Sequence, residues 1–158
     1  MPIIKLQDIW KSFNGSAVLS GVDLEVIRGE TLVIIGKSGT GKSVTLKNIM
    51  GLIQPDKGNI SVFGEEITTM RRKEILRIRL KIGYLFQNGA LLNWMSIADN
   101  VALPLKEHKP KMAQKEINKI VEKKLDIVEM LNAKDKFPDE ISGGMKKRAG
   151  LARAIVMD

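Results

Sequence analysis

Residues 36–43 read GKSGTGKS, and their reading decides the fold. The spacing is G-x-x-x-x-G-K-[ST], in which each residue type has its own task. Gly36, Gly39 and Gly41 let the backbone take conformations closed to other residues and bring its N–H groups close to an anion. Lys42 supplies a mobile positive charge for β- and γ-phosphate oxygens. The Ser43 hydroxyl is the kind of hard oxygen that magnesium takes. Ser38 and Thr40 offer further donors, and Lys37 and Val44 complete the segment expected to line the phosphates. The flanks agree. TLVII (31–35) is a continuous, largely β-branched run that predicts a strand buried on both faces. KSVTLKNIMGLI (42–53) predicts a helix whose positive dipole end faces the loop.

Outward from the loop, the first third of the chain reads as strands. IIKLQDIWKSF (3–13) alternates apolar and polar residues and runs into the turn signal Asn14-Gly15. VDLEVI (22–27) alternates again, and GNISVFG (58–64) is a further short strand. The middle changes character. TMRRKEILRIRL (69–80) has helical spacing, and KIGYLFQ (81–87) reads as a second buried strand. SIADNVALPL (96–105) predicts a helix capped by Ser96, with Asp99 in capping-box position. In KMAQKEINKIVEKKLDIVEML (111–131), Ile117, Ile120, Val121, Leu125, Val128 and Leu131 share one stripe. An α/β nucleotide-binding core is thus interrupted by helices over roughly 88–141.

Composition sets bounds. The 158 residues suffice for one domain with a core, and 44% hydrophobic with 28% charged content is that of a folded chain. There is no cysteine, hence no disulfide and no thiolate metal site. No apolar run reaches the ~20 residues that span a bilayer. The net charge of +8 concentrates in 71–81 and 106–124. It suits a solvated helix face, anionic lipid, nucleic acid or an acidic partner. No aromatic pattern interleaves with it, which argues against a single-strand stacking platform.

ISGGMKKR (141–148) is the second glycine motif. Ser142 is a natural N-cap, and Gly143 and Gly144 open an anion-receptive helix end. Taken in order, the β-rich start, GKSGTGKS, a strand ending in Gln87, a helical insertion and ISGGMKKRAGLARAI resemble the nucleotide-binding domain of ABC transporters over essentially the whole chain. Ile141 and Met145 stand where Leu and Gln are commoner. The stretches FQNGALLNWMSIADNVALPL and SGGMKKRAGLARAI resemble a narrower branch, the ATPases of Mla-type and MCE-associated phospholipid transport systems.

The resemblance implies an ABC-type P-loop NTPase: an antiparallel β subdomain, a parallel-sheet core and a helical insertion, with the C-terminal part absent. It implies one incomplete domain over 1–158, with 1–87 as β-rich phosphate-loop core, 88–141 as helical subdomain and 142–158 as signature motif and helix. It implies ATP and Mg2+ held by Gly36 to Val44, with Lys42 and Gln87 in catalytic roles and Ser43 and Gln87 near the metal. Phe13 would stack on adenine. Ser142, Gly143 and Gly144 would contact the γ-phosphate bound to a second copy in a head-to-tail dimer. The further implied partners are a transmembrane permease, with Leu91, Leu92, Trp94 and Met95 either its exposed anchors or ordinary core, and an MCE-type lipid-binding protein, with no specific nucleic acid. The place implied is the cytoplasmic face of the inner membrane, peripherally.

The family's Asp-Glu pair and switch histidine are not recognisable. His108, the only histidine, lies in a polar loop before the signature. The terminal LARAIVMD (151–158) raises the question of whether Asp158 is a metal carboxylate at a strand end. The helical register from Gly144 onward predicts instead a helix through Met157. The expectation is therefore an ATPase in the complete protein, inactive and poorly stable as these residues alone. Two alternatives stay open: a soluble ABC-type ATPase of nucleic-acid maintenance or translation, and a small P-loop kinase.

Overall fold

The computed structural model describes residues 1–157. They form two compact units, Met1–Arg79 and the residues from Leu80 onward.

The first unit is built on a hairpin. Strands β1 (Pro2–Phe13) and β2 (Ser16–Ile27) pair antiparallel through the two-residue turn Asn14-Gly15. Both turn residues have positive φ, 49° and 78°, as a tight hairpin turn requires. After helix α1 (Lys42–Ile49), strand β3 (Lys57–Val62) pairs antiparallel with the other edge of β1, and the two-residue β4 (Glu65–Glu66) extends it. The sheet order is β2-β1-β3-β4. Leu6, Ile9, Leu19, Ile60 and Val62 bury one side of this sheet. Ile49 of α1 and Ile75 and Ile78 of helix α2 (Arg72–Arg79) are buried with them. Arg79 ends α2 by donating from Nε to the Met50 carbonyl (2.7 Å) and from Nη2 to that of Gly51 (2.6 Å). It thereby satisfies carbonyls that the end of α1 would leave without partners.

The second unit is helical. Helices α3 (Ile97–His108), α4 (Gln114–Ile127) and α5 (Gly143–Ala154) enclose a core that includes Val101, Leu105, Val121, Leu125, Met130 and Val156. The stripe on α4 is as its spacing predicts, with Ile117, Val121 and Leu125 buried. Leu131 lies past the helix end in a 3-10 turn (Leu131–Ala133) and is half-exposed. Ser96 caps α3 by accepting from the Asp99 N–H (3.0 Å), while its hydroxyl donates to the Asp99 carboxylate (2.8 Å). The Lys106 ammonium and the Ser96 hydroxyl hold that carboxyl below its ordinary pKa.

Two expectations about local structure are corrected. TLVII and KIGYLFQ form no strand, and the expected parallel sheet does not appear among the described residues. A strand is a ladder, and neither run has a neighbouring chain in its unit to supply one. Their apolar side chains stand open: Val33 is 70% and Ile35 89% exposed, and Leu85 and Phe86 are also exposed. Helix α5 also ends earlier than its register predicts, at Ala154, with Ile155 as C-cap and a turn beyond. Ile155 and Val156 are β-branched and disfavour the helix, and Val156 is fully buried. Asp158 lies outside the described residues.

Candidate functional site

Gly41 is where the loop becomes a helix. It is the N-cap of α1 with φ 85° and ψ −2°, and no side chain caps the helix. The first bond of α1 runs from the Thr45 N–H to the Gly41 carbonyl, 2.8 Å. The N–H groups ahead of it have no intrahelical acceptor and face outward as a ready anion site. A Cβ on Gly41 would lie 2.8 Å from the Val18 carbonyl oxygen and 2.6 Å from Leu19 Cδ2, so the helix start is pressed against β2. Gly39 also has positive φ, 83°, but open space around it.

Lys42 arches back over the loop. Its Nζ donates to the carbonyls of Gly36 (2.8 Å) and Lys37 (2.6 Å). Thr40 Oγ1 donates to the Lys37 carbonyl (2.9 Å) and occupies the space that a Cβ on Gly36 would need, 2.8 Å away. Ser43 is exposed, and its hydroxyl has no partner among the described residues. The loop therefore offers free N–H groups, one central ammonium and one free hydroxyl, a set that fits a magnesium-bound polyphosphate. Among the described residues no group of His, Cys, Asp and Glu could hold a metal unaided, so a metal here would depend on ligand oxygens as well as Ser43.

Phe13 sits at the end of β1 beside the hairpin turn and is 41% exposed. Lys11 Nζ lies 5.5 Å from its ring centroid. Lys11 is itself fixed by Asp56, which also accepts from the Ser12 N–H and hydroxyl. The Lys11 ammonium, followed by the two Ser12 donors, lowers the Asp56 pKa to about 2.

In the second unit, Gln87 is exposed in a turn closed by the Gly89 N–H on the Phe86 carbonyl (2.9 Å). Ser142 caps α5 by accepting from the Met145 N–H (3.3 Å). Gly143 and Gly144 follow it, exposed, and a Cβ on either would meet nothing nearer than the Ser142 hydroxyl, 4.0 Å from that of Gly144. Trp94 is 75% exposed, whereas Leu91 packs on the helical core and Leu92 and Met95 are half-buried. The four residues expected to share a partner surface therefore divide. None of the four lines the open groove of about 360 Å³ in this unit, which is lined by Tyr84, Phe86, Leu103, Pro104, Glu107 and Arg153 among others. His108 borders it and takes no part in either glycine motif.

The sequence reading missed two residues. Asn100 is fully buried, accepts from the Leu92 N–H (2.7 Å) and donates to the carbonyls of Leu92, Met95 and Ser96 (3.0–3.1 Å). It fixes the loop that carries Trp94, and a lone Asn inside an apolar helix pattern was its only signal. The other is Arg153, whose contacts span 63 residues of sequence.

A phosphate loop of this geometry, in a chain that carries a further, Ser142-capped glycine helix start, defines a nucleotide-binding P-loop protein. The family model for ABC transporters matches residues 19–158, and the chain belongs to that family. It is 47% identical over 155 residues to the "Probable ribonucleotide transport ATP-binding protein mkl" of Mycobacterium leprae, covering 98% of this chain and 44% of that protein. It is 39% identical over 157 residues to the "Methionine import ATP-binding protein MetN" of Brucella abortus, covering 99% of this chain and 42% of that one. The chain thus spans less than half the length of these relatives. Its fold is similar to a dimeric ATP-binding cassette, MJ0796, bound to ADP and Pi, with a TM-score of 0.90 and 29% identity over 97% of this chain and 69% of that one. It is also similar to cbiO1 of Clostridium perfringens, part of the cbiONQ transporter complex, with a TM-score of 0.86 and 30% identity over 99% and 62%.

Proposed function

We propose that this chain is the ATP-binding part of a membrane transporter subunit that binds Mg-ATP on Gly36–Val44 and, in the complete protein, hydrolyses it to drive phospholipid transport. The observation that carries the reading is the loop itself: an α1 start with no side-chain cap, and a Lys42 ammonium drawn back over the carbonyls of Gly36 and Lys37 in the same loop. In this reading Lys42 trades neutral carbonyl acceptors for anionic phosphate oxygens, a stronger charge-assisted bond. Ser43 offers its free hydroxyl to magnesium, which when bound neutralises phosphate charge and orients the leaving group. Phe13 lends an exposed aromatic face to the base, and Gln87 holds the attacking water near the metal. Ser142, Gly143 and Gly144 present the α5 N-terminus to the γ-phosphate of a second copy, so closure of the pair depends on intact ATP.

Trp94, held out by the Asn100-fixed loop, is the surface proposed for the permease. The place of work is then the cytoplasmic face of the membrane, and among the described residues no helix is long and apolar enough to cross a membrane. The Asp-Glu pair and switch histidine of the family are not among these residues, so the 158-residue chain alone is expected to bind ATP and not to turn it over.

Lipid as cargo rests on the resemblance of 86–105 and 142–155 to Mla-type and MCE-associated ATPases, and an MCE-type lipid-binding protein is the corresponding third partner. The relatives above carry ribonucleotide and methionine in their names. The test is reconstitution of the full-length protein with its permease in vesicles. ATP-dependent movement of labelled phospholipid supports the reading. Uptake of ribonucleotide or methionine, with phospholipid unmoved, overturns it.

A further inference from the structure

The turn that carries Gln87 lies directly on helix α5. A Cβ on Gly89 would come 2.5 Å from the Lys146 carbonyl oxygen, and one on Gly150 would come 2.9 Å from Gly89 Cα. Further along, a Cβ on Gly83 would come 2.5 Å from the Ala154 carbonyl oxygen. Backbone therefore meets backbone along one edge of the helix, where only glycine fits. Arg153, at the end of that edge, closes the contact. Its Nη1 donates to the Ala90 carbonyl (2.8 Å) and its Nη2 to the Gly89 carbonyl (2.6 Å). Both acceptor residues have positive φ, 73° for Gly89 and 48° for Ala90. A non-glycine residue keeps such a conformation only when its surroundings impose it. Burial pushes the Arg153 guanidinium pKa down, and no carboxylate among the described residues offsets that cost. An arginine desolvated in order to hold two carbonyls is being used for its rigid fork, which lysine does not have.

We propose that Arg153 is a positioning residue that locks the Gln87 turn to the helix whose other end carries Ser142, Gly143 and Gly144. The inference deepens the ATPase reading above and rests on it. The same helix then touches both ends of the reaction: its N-terminus senses the γ-phosphate, and its last turn sets where Gln87 stands. The lock holds the backbone of the turn and leaves the Gln87 side chain free and exposed.

The test uses the full-length protein with Arg153→Lys, which keeps the charge and loses the fork. Hydrogen exchange of the nucleotide-free protein is expected to show the Gly89 amide opening about tenfold faster, with the α5 amides unchanged, because one of two anchoring bonds is gone. Steady-state ATPase assays are expected to show kcat lowered about tenfold with KM for ATP unchanged, as displacement of a catalytic group far from the binding contacts would give. Unchanged exchange at Gly89, or faster exchange with unchanged kcat, overturns the proposal. If the lysine variant does not fold, Gly150→Ala attacks the same contact from the helix side and is expected to give the same local pattern of exchange and the same kcat loss. A wild-type protein that lacks ATPase activity would sink the function proposed above, while the exchange measurement still decides whether Arg153 holds the turn.

Discussion

Gly39 and Gly41 are two residues apart in the same loop, with nearly the same φ, 83° and 85°. They differ in what surrounds them, which makes a controlled experiment. An alanine at either site pays about 1–2 kcal/mol for a left-handed L-residue. At Gly39 nothing lies within 4 Å of the new methyl, so that is the whole native-state cost. At Gly41 the methyl would lie 2.8 Å from the Val18 carbonyl oxygen, a backbone atom fixed in β2, and 2.6 Å from the buried Leu19. Overpacking of that kind adds about 1–3 kcal/mol. The gain from stiffening the unfolded chain is the same at both sites and cancels in the difference. With a urea m-value of about 1–3 kcal/mol/M, the Gly41→Ala midpoint should fall below that of Gly39→Ala by roughly 1 M. Urea titrations of the two variants and the parent, followed by circular dichroism, measure it. Nucleotide binding should fail in Gly41→Ala even below its transition, because the start of α1 must move off β2. Equal midpoints for the two variants would refute the reasoning, since they would mean that the packing of the loop on Val18 is not as described.

Other outcomes follow from single contacts. Ser142→Arg places a bulky cation at the start of α5 and removes its cap (worth about 1 kcal/mol); it should leave ATP binding to one copy intact and prevent ATP-driven pairing, read by light scattering. Asp56 has a folded-state pKa lowered to about 2, so its contribution is fully present above pH 4 and is lost as pH falls towards 2; Asp56→Asn should remove that part of the acid sensitivity of the thermal midpoint. Asn100→Leu should cost about 2–4 kcal/mol, because it leaves the Leu92 N–H and the Met95 carbonyl without their partner, and circular dichroism melts would register it together with faster proteolysis at Trp94.

What the sequence could show followed the range of each interaction. The phosphate loop was legible because its chemistry lies in consecutive residues, and the caps at Ser96 and Ser142 because they act within one turn. The α4 stripe was legible from its period. The runs 31–35 and 81–87 carry every local mark of a buried strand, yet being a strand depends on a neighbour, and none of the described residues forms a ladder with them. The contact of Arg153 with Gly89 and Ala90 spans 64 and 63 residues and leaves only an indirect trace in sequence, a glycine at 150 in the middle of a helix. A helix interior accepts such a residue at about 1 kcal/mol against alanine, and here the approach of Gly89 is the reason.

The central claim is that the loop 36–43 binds Mg-ATP through Lys42 and the start of α1. Calorimetric titration of Mg-ATP into the protein and into Lys42→Ala tests it most directly. A charge-assisted hydrogen bond contributes about 1.5–3 kcal/mol, so the account predicts binding by the parent and at least about tenfold weaker binding by the variant. Equal affinity in the two, or no binding by the folded parent, would contradict it.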